Sequence, residues 1–244
     1  MDDLWLRVFH PAPERPMRLV CLPHAGGSAS SWFALSAAMD SVAEVIGVQY
    51  PGRQDRWKQP PASDLLELAD QVAEVLLDQL SEPIALLGHS MGSALGFEVT
   101  RRLERAGKEP VRLFVSGSRA ASLPRTDRIH ESDDQGFVDE LTRLGGTDPR
   151  LLNDREMLNI MLPAIRADYT AIESYCSTED AQVNCPVTVL TGDADPTTNL
   201  AQAQAWARHT TAGCDVRIYP GGHFYLVDVI PQLAEDIAKA LVAE

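Results

Sequence analysis

The 244-residue sequence is short of positive charge: 21 lysines and arginines face 35 aspartates and glutamates, a formal net charge of −14. General binding to nucleic acid or to an anionic membrane surface needs clustered positive charge, so this balance argues against both. Long apolar runs are missing too, and no stretch approaches the roughly 20 residues that a bilayer span requires. The opening residues, Met1-Asp2-Asp3-Leu4-Trp5, hold no apolar core of a secretory signal, so a cytoplasmic location is expected. The four cysteines (Cys21, Cys176, Cys185, Cys214) show no C-x-x-C spacing and read as reduced thiols. The glycine-rich segment Pro23-His24-Ala25-Gly26-Gly27 lacks both G-x-G-x-x-G and a P-loop lysine, which argues against a nucleotide-phosphate cradle. No metal-ligating cluster is apparent, and neither a metal nor a cofactor is expected.

Hydrophobic residues make up 45% of the chain, enough for a sizeable core, and the length suits one domain over residues 1–244. Short apolar runs alternate with helical patterns. Residues 18–22, 44–50, 84–87, 111–115, 186–190 and 216–219 read as strands. Residues 64–80 read as an amphipathic helix capped by Ser63, with Leu65, Leu68, Ala69, Val72, Val75 and Leu76 at helical spacing. A helix is expected to run from the Ser90 turn to about Ala106, and another over residues 231–242. This alternation predicts an α/β fold, a mostly parallel central sheet flanked by helices. Residues 123–176 break the rhythm. They carry no clear strand, two polar turns and a helical stretch over residues 157–175, the pattern of a helical lid inserted over a site.

Gly88-His89-Ser90-Met91-Gly92 is a G-x-S-x-G motif, entered by an apolar strand and left by a small-residue helix. That context marks a nucleophile elbow, a sharp turn that exposes a serine hydroxyl at a helix N-terminus. An alkyl hydroxyl needs a base. Of six histidines (His10, His24, His89, His130, His209, His223), His223 is the best placed, in a Gly-Gly loop after the last strand. His89 flanks the serine and should point elsewhere, His24 should shape its own loop, and the other three should lie at the surface. The base needs a carboxylate to set its tautomer. Asp193 and Asp195, both after the penultimate strand, are candidates, and either gives the order serine, acid, histidine of α/β-hydrolases. A tetrahedral intermediate needs N–H donors. These are expected from Met91 and from the loop after the first strand, at Ala25 with Gly26 as second choice.

Together these motifs resemble one family. Leu22-Pro23-His24-Ala25-Gly26-Gly27-Ser28, Tyr50-Pro51-Gly52-Arg53, the serine elbow, Leu144-Gly145-Gly146-Thr147, Leu162-Pro163-Ala164-Ile165-Arg166-Ala167-Asp168-Tyr169, Gly192-Asp193-Ala194-Asp195-Pro196 and Gly221-Gly222-His223-Phe224 look like those of stand-alone type II thioesterases of polyketide and nonribosomal peptide synthesis. The resemblance implies the α/β-hydrolase fold with a flexible helical lid. It also implies editing hydrolysis of acyl groups from the phosphopantetheine arm of acyl or peptidyl carrier proteins, with Asp195 as the triad acid. Thr197-Thr198 depart from the pattern, standing where a larger apolar residue is expected. A medium-chain acyl-carrier hydrolase or a carboxylesterase of the same fold is the alternative, and a non-catalytic binding protein a more distant one. A monomer is expected, with Arg53, Arg56 and Lys58 as a local cationic patch at the entrance that could read the carrier.

Overall fold

The computed structural model describes residues 4–147 and 149–242. Met1, Asp2 and Asp3 of the acidic start, and Asp148 within the expected insertion, lie outside the described residues. Seven strands form one sheet: β1 (Leu6–Arg7), β2 (Arg18–Leu22), β3 (Glu44–Val48), β4 (Ile84–His89), β5 (Leu113–Ser116), β6 (Val187–Gly192) and β7 (Cys214–Tyr219). Their order is β1-β3-β2-β4-β5-β6-β7. All neighbours run parallel except β1, which pairs antiparallel with β3 through Leu6 opposite Val48. The expected α/β sheet is therefore present, with an added two-residue edge strand too short to announce itself by periodicity.

Strand alternation splits the core into two layers. Val20, Leu22, Ile84 and Leu86 face one layer, where α2 (Leu65–Gln79) and α3 (Met91–Arg105) pack. Leu19, Cys21, Ala85 and Leu87 face the other, covered by α1 (Phe33–Met39) and α8 (Ile230–Val242). Burial of both faces explains why these strands read as continuous apolar runs. The cap of α2 is Asp64 rather than Ser63, its carboxylate accepting the N–H groups of Leu66 and Glu67. Asp is as good a cap as Ser, and loss of either costs about 1 kcal/mol.

Between β2 and β3 the chain turns one way along the sheet, and between β3 and β4 it crosses back to the other side of β2. The loops after β2 and β4 therefore diverge, which opens the crevice where sites form in such sheets. Residues 123–176 lie over this end and, as described, contain no strand. They form α4 (Asp134–Leu144), α5 (Pro149–Leu152) and α6 (Arg155–Glu173). Phe137, Leu141, Leu152, Leu162, Ile165 and Tyr169 make a small separate core there. The end of α6 belongs instead to the main core through Ala171, Ile172 and Tyr175. Pro163 sits inside the part of α6 that belongs to the small core and leaves one intrahelical bond unmade. A short helix, α7 (Leu200–Gln204), follows β6.

Candidate active site

Ser90 caps α3 with φ 55° and ψ −114°, a left-handed backbone that costs a non-glycine residue roughly 1–3 kcal/mol. The neighbours explain the motif. A Cβ on Gly88 would lie 1.9 Å from the Gly92 carbonyl oxygen, and one on Gly92 would lie 2.1 Å from that of Leu22. Only glycines let strand, turn and helix approach so closely. The turn is held by Ser90 N–H donating to the Ser116 carbonyl at 2.8 Å, and by Ser93 Oγ, which lies 2.8 and 2.9 Å from the Gly88 and Ser116 carbonyl oxygens.

His223 and Asp195 meet from loops at the C-terminal ends of β7 and β6. His223 Nδ1 is 2.9 Å from Asp195 Oδ2, and both side chains are buried. Thr197 supports them: its N–H and its Oγ1 each donate to Asp195 Oδ1 at 2.8 Å, and Oγ1 is 3.1 Å from His223 Nδ1. Burial pushes the Asp195 carboxyl up. The bonds and charge of His223, with the Thr197 bonds, outweigh that and hold it below its usual range. The threonine that departs from the family pattern is thus a polar brace on the acid. Asp193 is exposed, and its Oδ1 accepts Gly221 N–H at 2.9 Å, shaping the histidine loop without reaching the ring.

Two more imidazoles crowd His223. The His89 ring centroid is 5.0 Å from that of His223, and Nδ1 of His89 is 3.0 Å from Ser116 Oγ. His24 packs against Phe224 and beneath its own turn, where a Cβ on Gly27 would lie 2.9 Å from the ring. Burial, then the charge of His223, keeps both neutral, with His24 pulled down to about 3 and His89 well below its usual value. Gly117, at φ +58°, leaves room for these rings: a Cβ there would meet His89 Cε1 at 2.7 Å and His223 Cε1 at 3.4 Å. Of the three histidines expected at the surface, His209 is buried, whereas His10 and His130 stay partly exposed. His209 is fully buried against Ser122 and the Ala181 carbonyl, and His130 pairs with Glu173. His10 bonds Ser36. Their ring nitrogens find partners inside the fold, which spacing could not reveal.

Ala25 N–H has no hydrogen-bond partner among the described residues. Met91 begins α3, so its N–H has no intrahelical acceptor. Gly26 N–H, the second choice for a donor, is already given to Asp168 Oδ2 at 2.7 Å. Asp168, from α6, also takes Arg53 Nη2 at 2.8 Å, and Arg53 Nη1 reaches the Gly27 carbonyl at 3.3 Å. Burial raises the Asp168 carboxyl, and the arginine and the amide pull against it. The expected cationic patch is corrected here. Arg53 and Arg56 are buried, Arg56 donating to the Gln49 carbonyl and lying 4.0 Å over the Trp5 ring, and of the three only Lys58 is exposed. Arg53 and Arg56, expected at the entrance, are interior braces in the fold.

Ser90, Ala25, His223 and Thr197 line a cavity of about 690 Å³. Its far wall comes from the insertion, through apolar Leu141, Ile165, Tyr169 and Ile172 and the charged Glu140, Arg143 and Glu173. Arg125, also in the wall, is pulled down to about 10 by burial and by Arg119 beside it. The insertion docks on the histidine loop at Gly146, where a Cβ would fall 2.1 Å from the Phe224 ring. Among the described residues no group of His, Cys, Asp or Glu is placed to hold a metal ion, and no helix is long and apolar enough to cross a membrane. All four cysteines are free thiols.

Several known proteins similar to this chain are thioesterases. The Thioesterase domain family matches residues 17–241. The chain is 47% identical over 237 residues to a probable cadicidin biosynthesis thioesterase of Streptomyces griseus, covering 97% of this chain and 66% of that protein. It is 46% identical over 243 residues to the thioesterase PikA5 of Streptomyces venezuelae, covering 99% and 86%. The structure superposes on that of the type II thioesterase BorB of the borrelidin biosynthetic cluster with a TM-score of 0.91 at 42% identity, covering 99% of both chains. With an elbow serine, a buried histidine–carboxylate pair and a match over nearly its whole length, the chain belongs to the Thioesterase domain family and is a hydrolase of thioesters of the α/β-hydrolase fold.

Proposed function

We propose that the chain is an editing thioesterase that removes acyl groups from the phosphopantetheine thiol of carrier proteins in a polyketide or nonribosomal peptide synthase. The observation that carries this reading is the strained Ser90 elbow opening into the same cavity as the His223–Asp195 pair. In the first half-reaction Ser90 Oγ attacks the thioester carbonyl and its proton passes to His223 Nε2. The Asp195 carboxylate fixes Nδ1–H and stabilises the imidazolium. The oxyanion takes N–H donors from Ala25 and Met91. Collapse breaks the C–S bond, and the departing thiol takes the proton from His223. Water, deprotonated by the same histidine, then attacks the acyl-serine; the bond to Ser90 Oγ breaks, Oγ takes the proton back from His223, and the carboxylic acid leaves. No cofactor enters these steps. The apolar wall of the insertion suits an acyl chain, and its detached small core supports its role as a lid.

What supports the carrier partner is the likeness to type II thioesterases of the borrelidin and yersiniabactin pathways. The test is a matched set of substrates: an acyl-carrier protein, the acyl-cysteamine thioester and the corresponding oxygen ester. A fluorophosphonate should label wild type and not Ser90→Ala, and that variant should lose roughly 10³-fold or more in turnover. Faster turnover of the oxygen ester than of either thioester would instead favour a carboxylesterase. Equal efficiency on carrier and mimic would exclude recognition of the carrier.

A further inference from the structure

The loop that presents Ala25 N–H is held from behind by the insertion. Residues 24–27 form a turn closed by Gly27 N–H donating to the His24 carbonyl at 2.9 Å, with Gly26 at φ +78°. Gly26, the third residue of this turn, is where a type II turn needs positive φ. Its N–H belongs to the central peptide, and the acceptor for it is not in the turn but on α6: Asp168 Oδ2 at 2.7 Å. The other oxygen of that carboxylate takes Arg53 Nη2 at 2.8 Å, and Arg53 Nη1 returns to the Gly27 carbonyl at 3.3 Å. Arg53 also lies 5.0 Å over the Tyr50 ring, whose hydroxyl donates to the Pro23 carbonyl at 3.2 Å. One turn earlier on α6, Ile165 packs on Gly26 so closely that a Cβ there would lie 2.9 Å from Ile165 Cγ1. Residues three apart share a helix face, so α6 grips the turn with one apolar and one anionic contact.

We propose that Asp168 is a positioning residue that holds the Ala25–Gly26 turn in its donor geometry, so that seating of the insertion helix and competence of the oxyanion site are linked. A buried ion pair by itself is weak support for stability, because desolvation offsets the attraction. This carboxylate is placed where its loss changes the orientation of the peptide next to the donor's own. Removing the acceptor frees that peptide to rotate, and a donor displaced by even 1 Å loses most of its stabilisation of the transition state. The oxyanion should suffer while the ground-state thioester, held by the rest of the cavity, should not.

Single charge removal would leave Arg53 buried and unpaired, so the test uses two neutral pairs. Arg53→Met/Asp168→Asn keeps an oxygen acceptor for Gly26 N–H, whereas Arg53→Met/Asp168→Leu removes it at similar size. Both are assayed for thermal midpoint, for kcat and KM on an acyl-cysteamine thioester, and for affinity toward a matching trifluoromethyl ketone, which adds Ser90 to form a tetrahedral oxyanion. The Leu pair should lose about 10²-fold or more in kcat relative to the Asn pair, with KM within threefold, and ketone affinity should fall in proportion. Equal kcat in the two pairs, or a kcat loss with ketone affinity unchanged, overturns the proposal and leaves an ordinary structural ion pair. If either pair does not fold, Arg53→Met/Asp168→Ala, which removes the same acceptor with less bulk, is compared with wild type: kcat and ketone affinity must fall together. The inference rests on the acyl-transfer reading, and wild-type enzyme that forms no ketone adduct would refute that reading rather than the role of Asp168.

Discussion

Replacing Asp195 with asparagine should cost on the order of 10⁴-fold in turnover, about 5 kcal/mol of barrier, and the structure says why the change is so much worse than loss of one charge. Asp195 Oδ1 accepts two donors from Thr197, the N–H and the hydroxyl, each at 2.8 Å. An asparagine there must place its carbonyl oxygen at that position, because an NH₂ would face two donors. The amide nitrogen is then forced into the place of Oδ2, 2.9 Å from His223 Nδ1. A donor aimed at Nδ1 makes that nitrogen an acceptor and moves the ring proton to Nε2, so the histidine can no longer accept the Ser90 proton. Asp193→Asn is the control, since its carbonyl can still accept Gly221 N–H, and it should cost less than tenfold. Thr197→Val should cost about 10- to 100-fold in wild type, from one lost hydrogen bond to a charged group, and almost nothing further in the Asp195→Asn background. The assay is release of free thiol from an acyl-cysteamine thioester, with circular dichroism to confirm folding. A loss under tenfold for Asp195→Asn, or a larger loss for Asp193→Asn, would refute this reasoning.

Other outcomes follow from the same geometry. Gly146→Ala should lower kcat/KM at least tenfold while the thermal midpoint moves only a few degrees, because the added methyl strikes the Phe224 ring at the docking point of the insertion and not in the main core; an unchanged kcat/KM would show that this contact is dispensable. In hydrogen exchange, residues 129–160 should exchange faster than residues 168–175, which belong to the main core or bond to the oxyanion loop, and an acyl ligand should slow the first group; uniform protection would count against gating. Stability should fall with acid before the carboxylates titrate. His24 and His89 are held neutral, His24 down to about 3, whereas unfolded imidazoles titrate near about 6.5. Unfolding therefore takes up protons in that window, so stability is full above it and declines as pH drops through it, by up to about 1.4 kcal/mol per pH unit for each histidine. Urea titrations at pH 7, 6 and 5 measure this slope; His89→Asn should reduce it by the share of one histidine, and a flat wild-type profile would show that the rings are not held neutral.

The sheet was legible because both its faces are buried, so that Ile84-Ala85-Leu86-Leu87 and its neighbours are apolar at every position. Strand ends were less so. Val111 and Arg112 precede β5, although Val111 N–H still donates to the Ile84 carbonyl and the Arg112 carbonyl accepts Leu86 N–H. The elbow could be read from residue types because its requirement is steric and local: Gly88 and Gly92 are demanded by contacts within five residues or with the adjoining strand. Thr197 shows the opposite case. Its hydroxyl matters only because the loop after β6 folds back on Asp195 and meets a histidine 26 residues later, and no spacing rule encodes that meeting.

Arg53 and Arg56 show why charge is the hardest property to place from sequence. Both follow a Pro-Gly turn, a setting in which exposed cations are common, and in an acidic chain such residues invite a surface role. What decides their fate is the presence of acceptors that the sequence scatters: Asp168 lies 115 residues from Arg53, and the Gln49 carbonyl is freed for Arg56 only where β3 ends. A guanidinium offers five donors in a rigid fork, so it can satisfy a carboxylate and a carbonyl at once and is the side chain best suited to tie a loop to a distant helix. The Tyr-Pro-Gly-Arg and Arg-Ala-Asp motifs, noted separately as family marks, are the two halves of that tie. With these arginines turned inward, neither offers an exposed cation at this face, and a net charge of −14 supplies no long-range attraction for an acidic partner.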